Sequence, residues 1–493
     1  MYRLLAYILV GGLTGWLTTE SQPSFLRCVS FFIYVFAIAQ TIKKNFTLKF
    51  LFFFWFAFFL GQNFWLIHLI NPINHPLLSV GAPLWIIMSG LLAIPFILLK
   101  KLYPINREPT ELLSSLSCLT LFELFRNFFL SGFPFYSTIS LLSWLKFYPA
   151  ILGFTGIFIG SLLVLCATIF PIIFWKKLVS YLPAAFLACI VYPQTFFDHN
   201  KVAKIAVLQS HDDPYDESFF TRFSFCKDQV RSFKNIDCVI FPEGFWSIQY
   251  FDSFPLDLEL HEKQKLESYA RQMLELSKEL DVDILLPFTH VDSEQNLFQS
   301  LGLIHKGELV GRYDKMHLMT LMESKWPILK DEWCDAIGVC NFVSGKEKTV
   351  LKGKYRYGPY ICFDDYFEDD LYYYSRQNAD ILVSVHNDIW INHPTFKVNH
   401  FDQAVFRSIQ TGVTGVRCAN GGVCGVVFPN GEFFKTCDEN RFHLITIPLM
   451  YSNPFCIRFS SRFLVFIVAL IVFSERFFHF SSPLKKRLNL KGV

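Results

Sequence analysis

Three residue types at the ends of short strand-like runs could together form a nucleophilic site. In Cys238-Val-Ile-Phe-Pro-Glu243-Gly, a carboxylate follows a buried-strand pattern. Desolvation at such a position raises a carboxyl pKa and suits the group to act as a general base. In Gly311-Arg-Tyr-Asp-Lys315-Met-His317-Leu, a lysine follows a hairpin-like strand. In Gly358-Pro-Tyr-Ile-Cys362-Phe363-Asp364-Asp365, an apolar run ends at a thiol followed by two carboxylates. A strand that breaks into a turn there exposes the side chain and aims backbone amides at the same point. A base, a cation and a thiol are the parts of a covalent acyl-transfer site. Taken singly, a strand-end Glu is usually solvated, a hairpin Lys usually snorkels and a Cys usually packs. The ordered set carries the inference.

These residues need a scaffold, and the flanking pattern supplies one. Lys204 to Gln209, Asp237 to Phe241, Asp283 to Pro287 and Asp380 to Val385 are short β-type runs bounded by polar or turn residues, as expected of central strands. Leu258 to Leu280 and about Val398 to Gln410 have helical periodicity, and Pro429-Asn430-Gly431 signals a hairpin. Alternating strand and helix patterns predict α/β layering across residues 196–455.

The rest of the chain is of another kind. Its 493 residues are 52% hydrophobic and only 18% charged, with a mean hydropathy of +0.33, which excludes a wholly soluble protein. Residues 1–195 read as a membrane domain of about seven helices, near 3–19, 24–40, 49–70, 82–99, 112–130, 148–175 and 179–194. Residues 456–493 read as a further membrane helix, near 459–480, and a basic tail. The first segment lacks the small-residue cleavage site of a removable signal peptide. Lys43, Lys44 and Lys49, then Lys100, Lys101 and Arg107, then Lys176 and Lys177 fall in loops on one side, and Lys485, Lys486 and Arg487 return to it. The expectation is that both termini are cytoplasmic and that 196–455 lies outside the cytoplasm. A net charge of +3 with dispersed Lys and Arg argues against nucleic-acid binding. Of 13 cysteines, none forms a Cys-x-x-Cys pair, and Cys334 with Cys340 is a candidate disulfide.

The order Glu243, Lys315, Cys362 resembles the carbon-nitrogen hydrolase, or nitrilase, superfamily. That resemblance implies a four-layer αββα sandwich beside the multi-span helical domain. Spans before and after such a domain resemble the apolipoprotein N-acyltransferase family of the bacterial inner membrane. Glu123-Leu-Phe-Arg126 followed by Gly132-Phe133-Pro134 is similar to a signature of that family. The pair Glu123 and Arg126 is then either a helix tether or a lipid-headgroup contact. The resemblance further makes Glu323 a second glutamate and Asn387-Asp388-Ile389-Trp390 a substrate-positioning segment, with structural hydrogen bonding the expected role of Arg407, Arg417 and Asn420. Phe363 and Asp364 stand where the family usually has Tyr and Glu, and this bears on substrate positioning.

The implied reaction moves a fatty acyl chain from a membrane phospholipid, through a Cys362 thioester, to the α-amine of diacylglyceryl-cysteine on an apolipoprotein. No cofactor and no metal are expected. Met316 to Trp326 could meet the bilayer surface or be core. Two alternatives remain at this stage: a membrane-tethered hydrolase using water as acceptor, and a non-catalytic nitrilase-fold scaffold.

Overall fold

A computed structural model describes residues 2–19, 22–42, 47–69, 81–102, 109–126, 136–143, 145, 148–174, 176–190, 195–209, 219–233, 235–244, 249–251, 260–320, 322–325, 330–332, 341–391, 393–436, 441–452 and 454. The segment 459–480, Gly132 to Pro134, Trp326, Cys334 and Cys340 lie outside them.

The N-terminal part is helical: α1 Tyr2–Leu17, α2 Ser24–Ile42, α3 Leu48–Gln62, α4 Gly81–Leu102, α5 Pro109–Arg126, α6 Tyr148–Ile173 and α7 Leu182–Ala188. Length and apolar composition allow Ser24–Ile42, Gly81–Leu98 and Tyr148–Ile173 to cross a bilayer, while Tyr2–Leu17 and Leu48–Gln62 are shorter apolar helices. The backbones of α1 and α3 touch: a Cβ on Gly15 would stand 1.8 Å from the Phe58 carbonyl, so only glycine permits this approach. The seventh segment differs from expectation. Its α-helix has only seven residues, roughly 10 Å of rise against a hydrocarbon core of about 30 Å. Strand pairing has already begun at Thr195.

The second part contains two sheets. The first has β1 Thr195–Gln209, β2 Cys238–Ile240, β3 Gln249–Phe251, β4 Asp283–Val291, β5 Leu297–His305 and β6 Glu308–Asp314. The second has β7 Leu351–Lys352, β8 Arg356–Ile361, β9 Ile381–Asn387, β10 Gly415–Asn420, β11 Gly425–Val427 and β12 Phe433–Lys435, after which β13 Arg441–Ser452 rejoins the first. The strand orders are β13-β1-β2-β4-β5-β6, with β3 on β4, and β12-β11-β10-β9-β8-β7.

Strand alternation builds the layers. Ile205 and Val207 of β1 pack with Val383 and Val385 of β9 between the sheets. Their neighbours Ala206 and Leu208 face Val230 of the helix Phe219–Ser232 and Met273 of the helix Leu260–Leu280. On the other outer face Leu382 packs with Tyr374 of the helix Glu368–Arg376, and the helix Pro394–Thr411 covers the same sheet. The architecture is the expected αββα sandwich.

The two parts share a core. Phe363, Tyr366 and Phe367, just after Cys362, cluster with Tyr136, Tyr148 and Ile157 of the helical region. Trp65 lies 5.1 Å from Phe396, ring centre to ring centre.

Candidate active site

Each triad residue stands where a strand ends. β2 runs parallel between β1 and β4, and the backbone continues straight into Glu243, which is buried. Gly244 then takes φ +75°, and a Cβ there would meet the Asn387 amide at 2.7 Å. β6 pairs with β5 up to Asp314, and Lys315, fully buried, follows immediately. β8 ends at Ile361, and Cys362 opens a short 3-10 helix with φ +49°. That left-handed backbone is unfavourable for a residue with a Cβ, and such strain concentrates at functional sites.

The structure brings the three side chains together. Lys315 Nζ lies 3.4 Å from Glu243 Oε1 and 2.7 Å from Glu323 Oε1, and the Cys362 thiol is near enough to both glutamates to feel their charge. Burial lifts Glu243 to about 7, against the lowering pull of Lys315 and with the added push of Glu323. Burial and then the Glu243 charge push the Cys362 thiol well up, so the resting sulfur is protonated and needs a base. Burial opposes the Lys315 charge, but Glu243 and Glu323 outweigh it and hold the ammonium well above its ordinary range. The arrangement is a neutral thiol, a carboxylate poised near neutrality and a fixed cation, which can form and stabilise a tetrahedral oxyanion. Glu323 also accepts from the Met319 amide at 2.8 Å, which closes the loop over Lys315.

The accessory positions divide. Asp364 points inward: it accepts from the Tyr313 hydroxyl and the His317 amide at 2.8 Å each, and from the Ile361 amide at 3.1 Å. These three bonds clamp the turn that carries Cys362. Phe363 is buried in the shared core. Asn387 lines the site against Gly244, Trp390 packs half-buried on the helical core, and Asp388 binds His400 Nδ1 at 2.7 Å and Arg417 at 2.8 Å. Arg407 donates to the Asp365 and Tyr366 carbonyls, and Asn420 to Asn387 Oδ1 at 3.4 Å. Met319 and Met322 pack against the helical core. Glu123 accepts from Thr138 N at 2.9 Å, and Arg126 donates to the Tyr136 carbonyl at 2.8 Å.

Two nearby histidines escaped the sequence reading. His386 of β9 and His400 of the helix Pro394–Thr411 lie with Cys362 so that one ligand-capable atom of each is within 4.8 Å of the others. Period two was the available signal for His386, which shares a strand face with Leu382 and Ser384. For His400 it was a buried polar stripe, Asn399, Gln403, Arg407 and Gln410, at helical spacing.

Comparison with known proteins follows the same division of the chain. Residues 209–450 match the carbon-nitrogen hydrolase family. An apolipoprotein N-acyltransferase of Borreliella burgdorferi is 27% identical over 180 residues, 33% of this chain and 34% of that protein. Another from Wigglesworthia glossinidia brevipalpis is 24% identical over 336 residues, 63% of each chain. The chain thus spans less than two thirds of the length of these curated relatives. Saccharomyces cerevisiae Nit3, of branch 10 of the nitrilase superfamily, aligns over 50% of this chain and 90% of its own at 14% identity, with a TM-score of 0.39.

Proposed function

The carbon-nitrogen hydrolase domain of residues 209–450 is the premise from which we propose that this chain is an apolipoprotein N-acyltransferase of a bacterial inner membrane. One observation carries the choice of a lipid substrate: the turn holding Cys362 is built into the core of the helical region through Phe363, Tyr366 and Phe367. A thiol held there sits beside bilayer-embedded helices, where two substrates anchored by acyl chains can reach it.

The reaction proceeds in two halves. Glu243 takes the Cys362 proton as sulfur attacks a phospholipid ester carbonyl, and Lys315 with the Phe363 backbone amide stabilises the oxyanion. Collapse releases a lysophospholipid, protonated by Glu243, and leaves a thioester on Cys362. The α-amine of a diacylglyceryl-cysteine at an apolipoprotein N-terminus then attacks the thioester. Glu243 accepts its proton, the amide forms and the thiol is restored. The catalytic domain faces the extracytoplasmic side, where such acceptors reside.

Intact mass of the purified protein after exposure to phospholipid vesicles tests the first half. An acyl-sized adduct lost on hydroxylamine treatment and absent from Cys362→Ser is the expected result. Near-normal turnover by Cys362→Ser would remove the thiol as nucleophile. Release of free fatty acid with no transfer to a diacylglyceryl peptide would make water the acceptor.

A further inference from the structure

The edge of the second sheet carries an apolar surface that the acyl-transfer chemistry does not use. β12 pairs on one side only, with β11, and its other side is open among the described residues. Phe433 and Phe434, consecutive in this strand, are 50% and 57% exposed. An apolar edge left in water invites pairing with another chain, so folded proteins cover such edges or charge them.

The hairpin stands at the rim of the junction between the two parts. Phe433 is opposite Val427 in the ladder, and Val427 is buried in the core shared with the helical region. The Phe433 ring lies 5.5 Å, centre to centre, from that of Phe401 on the helix Pro394–Thr411, and Phe401 belongs to the same core. At the turn, a Cβ on Gly431 would meet the Pro149 ring at 2.5 Å, so the tip touches the first turn of α6. With its 26 residues, α6 rises at most about 39 Å, more than a hydrocarbon core of about 30 Å and close to the 40–45 Å that includes both headgroup layers. Pro149, at its beginning, therefore stands at headgroup depth. α2 approaches the same level: Arg27 and Lys435 both act on the Asp402 carboxyl, and Phe25, Phe32 and Phe36 form an exposed apolar stripe along that helix.

We propose that the β11–β12 hairpin is a membrane contact of the catalytic domain, in which Phe433 and Phe434 rest at the boundary between phospholipid headgroups and acyl chains. Lys435 Nζ lies 4.7 Å from the Phe401 ring centre and 5.1 Å from that of Phe433. Its stem thus runs along apolar rings while the ammonium is left to a lipid phosphate, the usual posture of lysine at an interface. The neighbouring charges cancel: Glu432 is exposed at the turn beside Asn430, and Asp402 is faced by Arg27 and Lys435. Apolar burial, and not attraction to anionic lipid, drives the contact. Anchored there, the hairpin limits rocking of the sandwich on the helices. The contact stands independently of any reaction at Cys362.

The test uses the full-length chain in phosphatidylcholine nanodiscs, with a phospholipid carrying a diazirine beside its glycerol as the probe. Illumination of the unsubstituted chain and peptide mapping should label residues 429–435 at least about fivefold more than the turn at Lys306 and Gly307, which packs against Lys278 of the outer helix Leu260–Leu280. The ratio should persist at high salt, since screening does not weaken an apolar contact. Phe434→p-benzoylphenylalanine should cross-link to phospholipid, adding one lipid-sized mass. Replacing Phe433 and Phe434 together by Ser should lower hairpin labelling at least about fivefold while labelling around Phe25 stays constant. Equal labelling of the two turns in the unsubstituted chain, labelling lost at high salt, or a cross-link from position 434 to a second copy or within the chain overturns the anchor. Where the double variant also loses Phe25 labelling it has misfolded, and the unsubstituted chain decides.

Discussion

Tyr313 donates its hydroxyl proton to Asp364 across 2.8 Å, joining the end of β6 to the turn that carries Cys362. The bond is wholly buried, and it locks the strand that delivers Lys315 to the strand that delivers the nucleophile.

Tyr313→Phe removes one of three donors to Asp364, and the expected loss is about 1–3 kcal/mol of stability. Asp364→Ala is worse, because it leaves the Tyr313 hydroxyl and the His317 and Ile361 amides without their acceptor. Thermal unfolding of detergent-solubilised protein should rank Asp364→Ala below Tyr313→Phe, and both below the parent. Equal midpoints would show that the clamp does not hold the turn.

Arg417 sits fully buried between Asp365 Oδ2, at 3.2 Å, and Asp388 Oδ2, at 2.8 Å. Arg417→Leu strands the buried Asp388 carboxylate, an effect of about 3–5 kcal/mol when a buried pair is broken. Arg417→Lys should recover little, since a point charge cannot reproduce the fork. The pH dependence has a definite sign. Burial raises Asp365 to about 8 even with Arg417 and Arg407 pulling it down, so the stability this carboxyl gives is full at low pH and is lost as pH rises through about 8. Without Arg417 the carboxyl titrates higher still, and the mutant's deficit should widen above pH 8. Thermal midpoints from pH 6 to 9 check this; a constant deficit would contradict it.

Sidedness is open to direct measurement. Exposed Glu294, in the turn between β4 and β5, should label as Glu294→Cys with an impermeant maleimide in intact cells, above the background of the parent chain. A thiol at Lys44 should be protected. The reverse pattern would mean that the apolar segment 178–194 does not cross, consistent with the brevity of its helix.

The sequence was most informative where chemistry and strand ends coincide. Glu243 and Cys362 each follow an apolar run and Lys315 follows a hairpin-like strand, and that is visible without a structure. The β9 run Ile381–Asn387 is buried on both faces, so continuous burial hid that His386 shares the outer face with Ser384 rather than the inter-sheet face with Val383. The inward turn of Asp364 follows from the left-handed backbone at Cys362, which no residue type announces. Hydropathy counts apolar residues but not hydrogen bonds, and it therefore overestimated the helix after Lys177.

The two glutamates on Lys315 can be separated by what their loss does to acylation. Glu243→Gln leaves no base for the thiol and should slow single-turnover acylation by about 10² to 10⁴. Glu323 contacts Lys315 and not the sulfur, so Glu323→Gln should still acylate while multiple turnover falls. Acylation by the parent should rise with pH through about 7, where Glu243 loses its proton. The Glu323 charge helps hold Glu243 up, and its loss also leaves Lys315 to Glu243 alone. Both changes favour the Glu243 carboxylate, so the acid limb of Glu323→Gln should move to lower pH. Stopped-flow acylation profiles of the parent and both variants decide the matter. A limb that moves upward, or Glu243→Gln acylating normally while Glu323→Gln does not, would reverse the assignment of the base.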